Sequence, residues 1–102
     1  MTTSQPQRAL PDVPPLATAP GMQGFDLSYW TAVYAPKDTP ESIIQVLNQQ
    51  LRNFTQSRQV IDKFAGLGFS IEGSSAKELG QVTLAEIGKW QTLITSAGIT
   101  AE

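Results

Sequence analysis

The chain has 102 residues and a mass of 11.0 kDa, with 40% hydrophobic residues, 16% charged residues and a formal net charge of −2. That length holds one small domain, burying about 65% of the surface its unfolded form exposes, and the scattered basic residues offer nucleic acid no cationic face. Cys and His are both absent, which removes thiolate nucleophiles, disulfides, imidazole bases and the usual zinc, copper and haem ligands; neither a cofactor nor catalysis is expected.

Residues 1–24 carry Pro6, Pro11, Pro14, Pro15 and Pro20, with neither a helical nor an alternating apolar period, and read as an arm or connector. They lack the basic start and the apolar run of roughly ten residues that mark a signal peptide, so the chain as written is expected to stay in the cytoplasm. No stretch approaches the ~18 apolar residues that span a bilayer, and membrane insertion is not expected.

Residues 25–102 read as a small α/β domain. From Phe25 the residues alternate, with Phe25, Leu27 and Tyr29 on one face and Asp26 and Ser28 on the other. They turn apolar on both faces from Trp30 to Ala35, which suits a strand entering a buried sheet. Pro36 and Asp38 stop it. Thr39 is placed to cap a helix with Pro40 at its first position, and Ile43, Leu47, Leu51 and Phe54 form its apolar stripe while Gln45, Asn48, Gln49 and Arg52 face water. This helix ends near Gln56.

Ser57 opens a second, short helix with Val60, Ile61, Phe64 and Leu67 on its apolar face, closed by Gly68; residues 69–72 read as a short strand. Ser75 and Glu78 have the spacing of a capping box at the head of a long helix, with Leu79, Val82, Trp90, Leu93, Ile94 and Ala97 apolar and Gly98 at its end. Gly80 and Gly88 weaken that helix unless something packs closely against them. The predicted order is arm, strand, helix, helix, strand, long helix. Two strands make no self-sufficient sheet, so its completion is expected from outside the chain, by a homo-oligomer or by the rest of a larger protein.

Several of these residues fall in a recognisable series: Arg8-Ala9-Leu10-Pro11-Asp12-Val13-Pro14, Gly24-Phe25-Asp26, Trp30, Ala35-Pro36 and Thr39-Pro40. Leu47-Asn48, Leu67-Gly68, Glu86 with Trp90, and Ala97-Gly98-Ile99 follow. Together they resemble the carboxyl-terminal stretch of the Bug-type periplasmic solute-binding proteins, the receptors of the tripartite tricarboxylate transporter family. The resemblance implies a partial periplasmic-binding-protein type 2 lobe, in which the strand from Phe25 is the return crossing from the second lobe. It also implies a small carboxylate as ligand and, in full-length relatives, a membrane permease as partner. Pro15, Thr18, Ala32 and Asp38 depart from the family's usual Thr, Glu, Gly and Gly, while the apolar stripes are kept.

Ser28, Tyr29 and Trp30 are the candidate ligand residues. They lie where the crossing strand passes the hinge, where a hydroxyl can bind a carboxylate and aromatics can wall a pocket. The plainer reading makes the aromatics packing surface and Ser28 a solvated strand residue. Glu86 can accept from the Trp90 indole or pair with Lys89, a structural use, and Asp12 can cap its own turn. Ser74-Ser75 after Gly73 lacks the further glycines and lysine of a phosphate loop and reads as an ordinary cap. The function expected is that of a non-catalytic solute-binding domain for small organic carboxylates. The alternatives are a free-standing oligomeric interaction module with no ligand, or an oligomer that binds carboxylate at its subunit boundary.

Overall fold

A computed structural model of the chain describes residues 1–101 and contains three α-helices: α1 (Glu41–Gln56), α2 (Arg58–Gly66) and α3 (Ala76–Ser96). A single 3-10 turn, Leu16–Thr18, precedes them. Two units form, one of Met1–Tyr34 with Thr55–Glu72, the other of Ala35–Phe54 with Gly73–Glu102.

In the first unit the proline-rich stretch folds as successive tight turns. Leu10 N–H donates to Gln7 O at 3.0 Å, Val13 N–H to Leu10 O at 3.1 Å, Met22 N–H to Ala19 O at 3.1 Å and Phe25 N–H to Met22 O at 3.0 Å. The last two place Gly21 and Gly24 third in their turns with φ of 80° and 79°, a conformation open to glycine and costly to side-chain-bearing residues. Asp12 takes no hydrogen bond among the described residues; backbone atoms alone close its turn, so the capping role expected of its side chain is not observed.

The first four residues are clasped from both sides. The Met1 ammonium donates to Pro14 O at 3.0 Å and Met1 O accepts from Leu16 N–H at 2.7 Å, while Thr2 O accepts from Leu27 N–H at 2.8 Å. Ser4 N–H reaches the Asp26 carboxylate at 3.1 Å. Pro15 is the only buried residue among those described.

Neither stretch read as a strand, 25–35 or 69–72, forms a ladder among the described residues. The alternation is visible, since Phe25 and Leu27 are half-buried and Asp26 and Ser28 exposed, but a strand is completed by its neighbour and this backbone has none. Phe69 is instead used to end α2. Its N–H donates to Phe64 O at 2.9 Å and Gly68 N–H to Ala65 O at 3.0 Å, with Gly68 at φ 81°: a Schellman closure. Ser57 stands at the N-cap of α2, but its side chain makes no capping bond.

In the second unit α1 starts one residue later than predicted. Pro40 O accepts from Ile43 and Ile44 N–H, and Thr39 turns its hydroxyl back to Pro36 O at 2.8 Å instead of capping the helix. Asn48 does not face water. It is half-buried, and its amide donates to Ser74 O at 2.8 Å, tying α1 to the residue before the cap of α3. The capping box is present: Ser75 Oγ accepts from Glu78 N–H at 3.1 Å, and Glu78 Oε2 accepts from Ser75 N–H at 2.7 Å. A second Schellman closure ends α3, with Ile99 N–H on Ile94 O at 3.1 Å, Gly98 N–H on Thr95 O at 3.2 Å and Gly98 at φ 66°.

The apolar stripes form as predicted and are only partly covered, Val60, Ile61, Phe64 and Leu79 being half-buried. Ile43, Leu47, Leu51 and Phe54 on α1 are each 40% to 49% exposed, and no residue of the three helices is buried.

Candidate functional site

Ser28, Tyr29 and Trp30 follow directly on the segment fixed by Leu27 N–H to Thr2 O. The Tyr29 ring is 85% exposed, and its hydroxyl accepts from Thr31 Oγ1 at 3.4 Å, so Tyr29 and Thr31 share one face. Ser28 makes no hydrogen bond among the described residues, and Trp30 is exposed. No charged side chain is bonded to the three residues among the described residues.

Sequence reasoning passed over an open hollow along the last turns of α3, lined by Gln91, Thr92, Thr95 and Ser96. Two of its three hydroxyls are committed to the helix itself: Thr92 Oγ1 donates to Gly88 O at 3.0 Å and Ser96 Oγ to Thr92 O at 2.7 Å.

The carboxylate cluster on α3 is structural. Glu86 Oε1 accepts from Lys89 Nζ at 2.9 Å and Oε2 from Trp90 Nε1 at 3.0 Å, which uses both oxygens and fixes the indole plane. Glu78 is held below its ordinary carboxylate value by hydrogen bonds from the Ser75 backbone and then its side chain. Partial loss of hydration opposes this, and the positive charge of Arg52 adds to it. No group of three or more potential metal ligands occurs among the described residues, and no helix there is long and apolar enough to cross a membrane.

The profile described as "Tripartite tricarboxylate transporter family receptor" matches residues 1–99, nearly the whole chain. The chain belongs to this receptor family. Among its relatives is the UPF0065 protein of the tcbD-tcbE intergenic region of Pseudomonas sp. (strain P51), 33% identical over 92 residues that make up 90% of this chain and 27% of that protein. Another is the UPF0065 protein of the clcB-clcD intergenic region of Pseudomonas knackmussii, 32% identical over 94 residues, 92% of this chain and 56% of the relative. Protein BugT of Bordetella pertussis is 32% identical over 88 residues, 86% of this chain and 27% of BugT. The transporter-receptor chain described here thus spans from about a quarter to just over half the length of these relatives. No solved structure matches it.

Proposed function

We propose that this chain is the carboxyl-terminal section of one lobe of a non-catalytic solute receptor for small organic carboxylates. It contributes the crossing segment at residues 25–35 and the helices that follow. The observation that carries this reading is the family match over residues 1–99 in a chain that spans 27% of two of the relatives. The part-exposed stripes on α1 and α3 support it, because a helix with an apolar face is stable only against a second layer, and the α/β lobe supplies that layer as a sheet. Ser28 and Trp30 on one face, or Tyr29 on the other, would then line the ligand cleft once the remaining strands flank them. The absence of His and Cys fits a site that binds through hydroxyls and backbone amides without chemistry.

A chimera tests this reading: the matching carboxyl-terminal segment of BugT is replaced by residues 1–102 of this chain. A cooperatively unfolding chimera that gains melting temperature with a member of a di- and tricarboxylate panel supports the reading. A chimera that fails to fold, where a segment from another relative succeeds, refutes it.

A second reading is favoured by the same exposure. In it the chain is an interaction module whose apolar faces are covered by further copies of itself, with no ligand.

A further inference from the structure

Two hydrogen bonds tie residues 1–4 to the root of the candidate ligand segment. Thr2 O accepts from Leu27 N–H at 2.8 Å, and Ser4 N–H donates to Asp26 Oδ1 at 3.1 Å, across 22 residues of sequence in the second case. Residues 1–4 are anchored in turn on their other side. Met1 O accepts at 2.7 Å from the N–H of Leu16, which opens the Leu16–Thr18 turn and follows the buried Pro15. All of these residues lie in the unit formed by Met1–Tyr34 and Thr55–Glu72. From Ser28 through Val33 the backbone makes no hydrogen bond among the described residues, so the ties at Asp26 and Leu27 are the last before Ser28, Tyr29 and Trp30.

We propose that Asp26 is a positioning residue for the ligand-facing side chains. Clipped to Ser4, its carboxylate fixes the point from which Ser28, Tyr29 and Trp30 are carried into the cleft, and it makes no contact with the ligand itself. The inference deepens the solute-receptor reading above and rests on it, because that reading is what places the three residues in a cleft.

The effect follows from chain geometry, since reach grows with every residue that is not held. With Leu27 tied, Trp30 is three residues beyond a fixed point and at most about 10 Å from it. With the clip open, the preceding tie is Phe25 N–H to Met22 O at 3.0 Å. Trp30 is then five residues out and within about 17 Å, so the volume open to it rises roughly fivefold. Ser28 goes from one residue beyond the tie to three, a larger relative change. A ligand that needs these side chains in one arrangement meets that arrangement less often, and its apparent affinity falls by a comparable factor. An ionised acceptor suits this task, because its bond to a backbone N–H is stronger than that of a neutral oxygen.

Two substitutions separate the bond from the charge. In the intact chain, Asp26→Ala should speed amide exchange at Ser4 and Leu27 about threefold or more and shift the amide resonances of Ser28 and Trp30. Asp26→Asn keeps an oxygen in the same place and should restore most of the wild-type behaviour. Unchanged exchange in α3 shows that the Ala variant remains folded. In the chimera with BugT, titrated with succinate and with citrate, Asp26→Ala should raise the dissociation constant about fivefold, and Asp26→Asn should stay within about twofold of the unsubstituted chimera. Equal exchange of Ser4 and Leu27 in wild type and Asp26→Ala, or equal affinity in the two chimeras, overturns the positioning role and leaves the receptor reading in place. An Asn variant that behaves like the Ala variant also overturns it, because the charge of Asp26 would then be acting and not its bond to Ser4. An unsubstituted chimera that binds neither acid overturns the receptor reading, and the positioning role with it, even where exchange shows the clip closed.

Discussion

With none of its own residues buried, the 21-residue α3 depends on its ends more than a core helix does, and the capping box is where that dependence is measurable. Ser75→Ala deletes the acceptor 3.1 Å from Glu78 N–H and loosens the reciprocal bond to Ser75 N–H. Loss of a Ser cap costs about 1 kcal/mol, or roughly a fivefold rise in the opening constant of the first turn. Amide hydrogen exchange at Glu78 and Leu79 reads that constant residue by residue, and the amides of the last turn serve as the internal control.

The same box carries a pH signature. Because the Glu78 carboxyl is depressed in the folded state, its contribution is fully present above its unfolded value of about 4.3 and fades as pH falls through the lower folded value. First-turn protection in the wild type should therefore drop below about pH 4, while in Glu78→Gln it should be weaker at neutral pH and flat across that range. Unchanged first-turn exchange in Ser75→Ala, together with superimposable pH profiles for wild type and Glu78→Gln, would refute the claim that this box holds the start of α3.

Asn48→Ala should cost about 1 kcal/mol by deleting the 2.8 Å bond to Ser74 O, and the exchange of first-turn α3 amides should speed up although the change lies on α1. Gly68→Ala and Gly98→Ala force a side chain into φ of 81° and 66°, at about 1 kcal/mol each, read as lowered helicity by circular dichroism. Gly80→Ala and Gly88→Ala should do the reverse, each gaining about 1 kcal/mol, because an added Cβ meets nothing within 4 Å at either position. Glu86→Ala removes the acceptor of the Trp90 indole N–H at 3.0 Å; the indole proton should shift in NMR spectra, with a stability loss of about 0.5 kcal/mol.

The helices were legible because their signals are local. Ser75 with Glu78 three residues on, Gly68 after Leu67 and Gly98 after Ala97 each act within one turn, and the structure places each where the spacing puts it. The misreadings involve longer reach or a competing acceptor. Asn48 looked solvated because its partner, Ser74, lies 26 residues away, and Thr39 satisfies Pro36 O before it can serve the helix. The segments at 25–35 and 69–72 have strand-like patterns and no ladder, since side-chain alternation states a preference while pairing needs a second backbone. Family membership was legible from the spaced motifs between Arg8 and Ile99, and the profile match covers the same stretch. The candidate trio was legible only as a place in the chain. Its neighbouring residues in space are not set by its own sequence.

Both glycine closures are followed by a bulky apolar residue, Phe69 after Gly68 and Ile99 after Gly98. Each rod is therefore cut to length, and its outgoing direction chosen, by bonds spanning six residues or fewer. Whatever docks against these helices meets preset pieces with fixed ends, and assembly becomes a matter of bringing rigid parts together, without first deciding where each part stops.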